Sequence, residues 1–328
     1  MRYRITCLAA AALVAGVALA MPADAQAQTA YPNKPIHLIV PYGPGGVADV
    51  GMRILGDKLT QKLGWQVVIE NRPGAGGIIA AKAGATAAPD GYTVLMTGNN
   101  NAISVGLFKS LPYNILTDFV SSSTTSFFDL LLMTRASSPL KSLGDLIKAA
   151  QANPGKLNVG TINPGSTQNL AAELFRSTAG IKITIVPFRT SADMATAVLR
   201  GDVDAAFEFY AASQGLIHDN KVRVLASTGA ERTAYLPNVP TAEESGLKGF
   251  EVNSWNGISL PKGTPQAIVD KLGGGIREAL KDSDVQERAK KLGMLMRGST
   301  PQEMDARMKA DIAKWSAVIE KAGIPKRD

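Results

Sequence analysis

The sequence predicts an α/β fold of two domains, each with a mostly parallel sheet flanked by helices. Short β-branched apolar runs alternate with helical patterns from Pro35 onward, as is typical of parallel strands joined by crossover helices. Once a processed N-terminal segment is set aside, about 300 residues remain, which is enough for two domains. Three of the predicted strand-to-helix junctions are also rich in glycine.

The first part of the chain contains three predicted strands, IHLIV (36–40), WQVVIE (65–70) and YTVLMT (92–97). Apolar residues recur at helical spacing from Met52 to Leu63, where Gly64 ends the helix. A second helix is predicted from GIIAAKAGA (77–85). This alternation predicts one sheet with its crossover helices.

The later part repeats the pattern, with predicted strands at 157–162, 181–188, 202–208 and 222–228. Helical segments at 171–180 and 194–200 lie between them. Near the C-terminus, Thr264 and Pro265 are expected to be an N-cap and a first helical residue. Thr300 and Glu303 form a capping box, followed by an apolar stripe that is expected to pack in the core: Met304, Met308, Ile312, Trp315 and Ile319.

The N-terminus predicts a signal peptide over residues 1–27. Arg2 and Arg4 precede an apolar run, and small residues around Ala25 and Ala27 suit cleavage. Cleavage would remove Cys7, the one cysteine, so the exported chain is expected to have no disulfide. The protein is therefore predicted to be exported.

Charge and residue usage exclude several classes of protein. Loss of Arg2, Arg4 and Asp24 changes the formal net charge from +7 to +6, and this excess suits an anionic small molecule. The basic residues form no compact block, so nucleic acid is not expected as a partner. His37 and His218 are the two histidines, so no metal and no cofactor are predicted.

Three glycine-rich junctions, PYGPGGVAD (41–49), NRPGAGGI (71–78) and NPGSTQN (163–169), are candidate ligand-binding loops. Glycine allows the backbone to turn and to approach a ligand closely. Each loop leads into a helix N-terminus, where unpaired N–H groups favour negative charge. Because such loops lie at the carboxyl ends of parallel strands, the sequence predicts a shared anion-binding cleft.

The first loop also matches a dinucleotide pattern, with Gly43, Gly45 and Ala48 at G-x-G-x-x-[GA] spacing and Glu70 at the end of the next strand. Two residues separate the strand from the first glycine, however, and Pro44 stiffens the turn. An exported protein is also a poor candidate for NAD chemistry. A small anion is the preferred interpretation.

The series PYGPGGVAD, ENRPGAGGIIAA, PDGYTVLM, GSTQNLAAELF, GDVDAAFE and LPNVPTAEESGLKGFEV, from about Tyr31 to the C-terminus, resembles the Bug/TctC-type solute-binding proteins of tripartite tricarboxylate transporters. The resemblance implies a two-lobed type II periplasmic binding protein fold that closes on a carboxylate-bearing solute. It also implies delivery to the membrane components of such a transporter. Residues 31–119 plus 229–328 would form lobe one, and residues 120–228 would form lobe two, with a boundary near SSSTTS (121–126). A monomer is expected.

The resemblance implies that the first loop holds the ligand through Tyr42, Gly45, Gly46, Val47, Ala48 and Asp49. The backbone N–H groups from Gly46 to Ala48 are expected to bind one carboxylate, partly through water. Asp49 either caps the first helix or contacts an electropositive part of the ligand. Gly76 and Gly77 match the second loop, with a tight helix entry as the alternative. Asn99 either donates to a carboxylate or is satisfied within a turn.

In lobe two the resemblance extends to Ser166, Thr167 and Asn169, where relatives often have histidine at the last position. Ser166 and Thr167 can equally cap the helix. Another candidate segment is Phe188, Arg189 and Thr190, where relatives often have glycine at the last position, so Thr190 is expected to narrow the pocket. Glu208 either faces the cleft or is an exposed charge next to a helix.

Two other functions stay open at this point. An exported hydrolase would have to use His37 or His218, but the chain lacks a G-x-S-x-G nucleophile motif. A periplasmic sensor subunit of the same fold would present its ligand to a receptor instead of a transporter. The preferred prediction is a solute-binding protein that is not an enzyme.

Overall fold

The computed structural model describes residues 31–328. The predicted signal peptide, residues 1–27, lies outside this range. Over residues 31–328, none of the helices combines the length and the apolar character that a membrane crossing requires.

Ten strands and ten α-helices follow one another within residues 31–328. The strands are β1 Ile36–Val40, β2 Val67–Asn71, β3 Thr93–Gly98, β4 Phe119–Arg135, β5 Asn158–Ile162, β6 Thr184–Phe188, β7 Ala205–Phe209, β8 Val222–Ser227, β9 Asn253–Pro261 and β10 Leu295–Met296. The helices are α1 Val47–Leu63, α2 Ile78–Ala85, α3 Asn99–Leu107, α4 Leu143–Ala152, α5 Thr167–Thr178, α6 Ser191–Arg200, α7 Tyr210–His218, α8 Gln266–Leu280, α9 Ser283–Lys291 and α10 Pro301–Ala322.

The strands form two sheets that share the long strand β4. In the first sheet the order is β2-β1-β3-β9-β4-β10, and in the second it is β6-β5-β7-β4-β8. Strands β1, β2 and β3 are parallel, as are β5, β6 and β7, whereas β4, β8 and β9 enter antiparallel pairs. The predicted α/β fold with sheets flanked by helices is therefore confirmed, and each sheet is mixed, with its parallel strands followed by antiparallel pairs that include β4.

Strand β4 passes from one sheet to the other at Asp129 and Leu130. Residues 119–129 pair with β9, whereas residues 130–135 pair with β7 and β8. The segment SSSTTS (121–126), where the sequence suggested a lobe boundary, lies inside β4, and its residues from Ser122 to Ser126 are buried. Their hydroxyls have hydrogen-bond partners, as Thr125 does by donating to the carbonyl of Asn256 at 3.1 Å and Ser126 by accepting from Asn256 Nδ2 at 3.2 Å. This polar run is an interior strand.

The chain crosses back between Val252 and Asn253, where β9 begins. Upstream of this point, Phe250 packs with the rings of Phe175 and Phe207 at centroid distances of 5.7 and 6.1 Å. Residues 229–252 therefore pack against the second sheet, although the sequence had assigned residues from 229 onward to lobe one.

Several local predictions agree with the structure and one does not. Helix α1 ends at Gly64, whose φ is 70°, and Thr300 with Glu303 forms the predicted capping box of α10. Thr264 does not cap a helix: α8 begins one residue later than expected, and the Thr264 hydroxyl donates to the Pro261 carbonyl at 2.7 Å.

The carboxyl group of Asp129 lies where β4 changes sheets, and its surroundings predict a pH-dependent stability. Burial and the nearby charge of Glu251 raise the pKa of Asp129 from 3.8 to about 6. Between these values the folded chain holds a proton that the unfolded chain releases, so this group's contribution to stability falls as pH rises through that window.

We expect Asp129→Asn to relieve this destabilisation by up to about 3 kcal/mol near pH 8, and to have little effect near pH 4. Denaturant titration of native and variant chains at both pH values measures the difference in the free energy of unfolding. An equal difference in the free energy of unfolding between the two chains at both pH values would contradict a raised pKa of Asp129.

Candidate functional site

The first sheet has a crevice at the carboxyl ends of β1 and β3. Helix α1 packs on one face of the sheet, with Met52 in one buried cluster, and α2 packs on the other face, with Ala80 in a second cluster. Helix α1 joins β1 to β2, and α2 on the other face joins β2 back across β1 to β3. The loops after β1 and β3 therefore flank an open crevice, which is where open α/β sheets bind ligands.

The second sheet repeats this geometry between β5 and β7. Phe175 of α5 belongs to one buried cluster and Met194 of α6 to another, so these helices also cover opposite faces. The crevice lies at the carboxyl ends of β5 and β7, beside the N-termini of α5 and α7.

The two crevices face each other, because side chains from their edges are in contact. Asn99, the first residue of α3, donates through Nδ2 to Oγ1 of Thr167, the first residue of α5, at 3.0 Å. The carbonyl oxygen of the same amide accepts from Nε1 of Trp315 at 2.7 Å. Asn99 is 2% exposed, and both ends of its amide have protein partners, one of which joins the two lobes.

A second contact between the lobes involves the C-terminal tail. Arg327 pairs with Phe108 as an isolated bridge, and its Nη2 donates to the Pro164 carbonyl at 2.6 Å. Gly165 also packs against Leu107, because a Cβ on this glycine would overlap the leucine side chain. The two lobes are therefore in contact at two places, through Asn99 and through the segment that contains Arg327.

The buried carboxylate of Asp49 organises the first glycine loop. Its Oδ2 accepts from the backbone N–H of Gly45 at 2.8 Å and from Nε of Arg53 at 2.9 Å. Its Oδ1 accepts from Arg53 Nη2 at 3.1 Å and from Asn71 Nδ2 at 2.8 Å. Burial raises the pKa of Asp49, but the hydrogen bonds from Arg53, Asn71 and Gly45 outweigh it and hold the pKa below its usual value.

The same amide of Asn71 donates to the carbonyl of Tyr42 at 2.9 Å, so the loop is tied to the end of β2. Gly45 has a φ of 84°, a conformation that glycine adopts without strain. Asp49 had two alternative roles, at the start of the first helix or in contact with the ligand. These contacts favour the first role, since both carboxylate oxygens already accept hydrogen bonds from the protein. Tyr42 is 37% exposed at the outer side of the loop.

The N-terminus of α1 is left without a side-chain cap. Its N-cap is Gly46, and the backbone N–H groups of Val47, Ala48 and Asp49 have no acceptor among residues 31–328. In α5, α6 and α10, by contrast, the N-cap side chains of Ser166, Thr190 and Thr300 accept from the third helical N–H. The free N–H groups of α1, at the crevice of the first sheet, are therefore available to an anion.

The second glycine loop packs closely on the base of the first. Gly76 and Gly77 have φ values of 64° and 95°. A Cβ on Gly77 would lie 2.6 Å from Nδ2 of Asn100 and 3.3 Å from Cβ of Pro41. This arrangement is compatible with both alternatives for these glycines, a loop that approaches a ligand closely and a tight entry into α2.

The side chains at the start of α5 have internal partners. Ser166 Oγ accepts from the Asn169 N–H at 3.1 Å, which is the capping role open to it. The Asn169 side chain accepts from the Gly165 N–H at 3.0 Å. Asn169 is 5% exposed, so its buried side chain supports the loop through this hydrogen bond.

The segment after β6 lies farther from these contacts. Thr190 caps α6 by accepting from the Asp193 N–H at 3.1 Å, and its hydroxyl donates to Asp193 Oδ2 at 2.7 Å. Phe188 is half-buried against the α6 cluster, and Arg189 is exposed. The structure gives these three residues no contact with the first-sheet edge among residues 31–328.

Glu208 lies at the carboxyl end of β7 and is 2% exposed, so the prediction of an exposed charge is wrong. Its Oε1 accepts from Gln168 Nε2 at 3.1 Å and from the Phe209 N–H at 2.7 Å. Its Oε2 has no hydrogen-bond partner among residues 31–328. Burial raises the pKa of Glu208, and the neighbouring Ser191 hydroxyl, the Phe209 N–H and the Gln168 amide partly oppose that rise.

The two histidines lie apart from this site. His37 Nδ1 is 2.6 Å from Glu70 Oε1, whose other oxygen pairs with Arg72 at 2.7 Å. His218 Nε2 lies 3.3 Å from the Tyr210 hydroxyl. Within residues 31–328, no group of three or more potential ligands could hold a metal ion.

Sequence reasoning missed Arg53, Asn71, Gln168 and Trp315. Arg53 follows Asp49 by one helical turn, a spacing that pairs such charges and could have been recognised. The other three act through partners distant in the sequence, so no local pattern identifies them.

Comparison with known proteins places this geometry in a family. The family described as tripartite tricarboxylate transporter family receptor, TctC, matches residues 52–324. Protein BugT of Bordetella pertussis is 35% identical over 311 residues, covering 94% of each chain. A protein of Pseudomonas sp. strain P51, from a tcbD-tcbE intergenic region, is also 35% identical over 311 residues, covering 94% of this chain and 93% of its own.

Solved structures show the same architecture. R. palustris Rpa4515 with adipate has a TM-score of 0.78 and 32% identity, over 90% of this chain and all of its own. MatC from Rhodopseudomonas palustris with bound malate has a TM-score of 0.73 and 31% identity, over 88% of this chain and all of its own. The periplasmic binding protein BugD is similar, with a TM-score of 0.75 and 30% identity over 90% of this chain.

Proposed function

The chain belongs to the tripartite tricarboxylate transporter receptor family, TctC, and we propose that it captures a small carboxylate-bearing solute between two lobes and delivers it to the membrane components of such a transporter. The adipate and malate in the related structures support carboxylates as the ligand class. The proposed role is binding without catalysis.

The single observation that carries the proposal is the uncapped N-terminus of α1. The N–H groups of Val47, Ala48 and Asp49 point out of a helix whose N-cap is glycine. A carboxylate here would accept two or more of these hydrogen bonds and interact favourably with the helix dipole. Gly76, Gly77 and Asn99 would flank it in lobe one, with Thr167 and Glu208 opposite.

The energy of such contacts is sufficient without a dedicated cation. Hydrogen bonds to a charged group contribute about 1.5–3 kcal/mol each, and a micromolar ligand requires about 8 kcal/mol net. Four or five such bonds, direct or through water, give about 6–15 kcal/mol gross before ordering costs are subtracted, so the upper part of this range meets the requirement. Arg53 is already paired with Asp49, so its contribution is to hold the loop in shape.

We place the two lobes by strand pairing, as residues 31–129 with 253–328 and residues 130–252. The point where β4 changes sheets, at Asp129 and Leu130, would then act as one hinge. The segment at Val252 and Asn253 would act as the other. Opening would break the hydrogen bond between Asn99 and Thr167, and closure on a ligand would exclude water and strengthen the remaining bonds.

The proposed location is the periplasm, after removal of residues 1–27, and the proposed state is a monomer. A receptor of this family meets its transporter outside the cytoplasm, so the loaded, closed form would dock on the membrane components and open there. This arrangement requires release as well as capture, which favours moderate over extreme affinity.

Calorimetry with a panel of organic acids, each paired with its methyl ester, tests the proposal. The mature chain is expected to bind at least one acid, and to lose that binding when the gripped carboxylate is esterified, because an ester lacks the charge. Absence of binding by every acid, equal binding of an ester, or conversion of a ligand to product would contradict it.

A further inference from the structure

One carboxylate oxygen in the second-sheet crevice is buried without a hydrogen-bond partner. Glu208 Oε2 has none among residues 31–328, although Oε1 of the same group accepts two hydrogen bonds. A buried, half-satisfied carboxylate is costly, because it loses its water without a full replacement. Such a group in a native structure requires an explanation, and a hydrogen-bond donor supplied by a bound molecule is one.

The position of this oxygen connects it with the ligand cleft. Glu208 lies on β7 opposite Leu131 of β4, two residues before α7 begins. Gln168, which holds Oε1, directly follows Thr167, the residue that contacts Asn99 across the cleft. Glu208 is therefore linked through Gln168 to the first turn of α5, the helix whose first residue contacts lobe one.

Gln168 and the Phe209 N–H also fix the orientation of the carboxyl group. Both donate to Oε1, at 3.1 and 2.7 Å, which leaves Oε2 as the free acceptor. The side chain has no paired lysine or arginine among the salt bridges of residues 31–328. A ligand group that approaches Oε2 must therefore supply a donor, and a second ligand carboxylate would be repelled.

Resting on the proposed function, we propose that Glu208 makes this receptor selective for acids that carry a hydrogen-bond donor, a hydroxyl or an ammonium, in addition to the gripped carboxylate. The unsubstituted acid of the same length leaves Oε2 unpaired in the closed site. Sites built around a polar partner discriminate strongly against ligands that lack it. The selectivity therefore comes from lobe two, whereas the carboxylate is held in lobe one.

Matched acids on the native mature chain test the inference by calorimetry. The sets are succinate, malate and aspartate; glutarate, 2-hydroxyglutarate and glutamate; adipate and 2-aminoadipate; and propionate, lactate and alanine, with both enantiomers of each chiral acid. In each set that binds, a donor-bearing member is expected to bind at least about tenfold more tightly than the unsubstituted acid.

The variant Glu208→Gln provides the second readout, since its amide can keep the contacts with Gln168 and Phe209 while placing a donor where Oε2 was. It is expected to lose at least about tenfold in affinity for donor-bearing acids, and to bind unsubstituted acids as well as the native chain or better. The matched control is Glu243→Gln, an exposed carboxylate of the second-sheet region, which should leave all affinities unchanged.

The outcomes separate this inference from the proposed function. Equal affinity for unsubstituted and donor-bearing acids in the native chain, or an unchanged preference in a folded Glu208→Gln variant, would overturn the role of Glu208 and leave carboxylate capture intact. Failure of every acid to bind would contradict both.

Discussion

Replacing Gly46 with aspartate is expected to abolish carboxylate binding, with a loss of at least about a hundredfold in affinity, while the chain stays folded. An aspartate at an N-cap accepts hydrogen bonds from the second and third N–H groups of its helix. In α1 these belong to Ala48 and Asp49, so the new side chain would occupy the place of the ligand and repel it by charge. Losing two charge-assisted hydrogen bonds accounts for the hundredfold.

The fold should tolerate this change. Gly46 has φ −71° and ψ 160°, an extended conformation open to any residue, and a Cβ there would be 3.9 Å from the Gly43 carbonyl oxygen. An acidic N-cap is favourable for a helix, so the free energy of unfolding should change by less than about 1 kcal/mol.

Gly46→Ala is the matched control for that experiment. It adds the same Cβ without an acceptor, so the N–H groups stay free and affinity should stay within about threefold of native. Calorimetry and thermal melting on the three chains separate binding from folding. A Gly46→Asp chain that binds like Gly46→Ala would contradict a ligand at this terminus.

The largest expected loss of stability comes from Gly98→Ala. Gly98 ends β3 and pairs with Asn256 of β9, and a Cβ on it would overlap the backbone carbonyl oxygen of Trp255. Backbone cannot rotate away as a side chain can, so the two strands would have to separate. We expect a loss of about 3 kcal/mol or more in the free energy of unfolding, above the usual range for overpacked sites.

Gly274→Ala is the comparison for this stability measurement. Gly274 lies inside α8, where a Cβ would meet nothing within 4 Å, and alanine there should stabilise by about 0.5–1 kcal/mol. Denaturant titration of both variants and the native chain gives the two differences. A Gly98→Ala chain within about 1 kcal/mol of native would show that β3 and β9 are not packed as described.

Local signals in the sequence predicted much of the fold. The run at 36–40 became β1 without change, Gly64 ends α1, and the capping box at Thr300 begins α10. Each of these depends on neighbours within a few residues, which is the range over which apolar periodicity and capping act. The alternation of strands and helices then determined the fold class.

The course of the chain between the sheets could not be predicted in the same way. Residues 121–126 suggested a nearby lobe boundary because of a composition shift, yet they form part of β4, where partners such as the Asn256 carbonyl satisfy their hydroxyls. Those partners lie far along the chain. Burial of a polar run is therefore a tertiary property that local composition does not reveal.

The site was predicted in outline for a related reason. Glycine loops and helix termini identified the first loop, and the structure adds that its N-cap carries no side chain. The exposure of Glu208 was predicted wrongly in one of its two alternatives, because its partner Gln168 is brought close only by the packing of α5 on β7. The contact between Asn99 and Thr167 likewise exists only when the lobes meet.

The most direct measurement of the central claim is a crystal structure of the mature chain with an acid selected by calorimetry. We predict ligand carboxylate oxygens within about 3.2 Å of the backbone nitrogens of Val47 and Ala48, or joined to them by one water. A carboxylate held elsewhere by a cationic side chain, with those two nitrogens facing only solvent, would contradict the account.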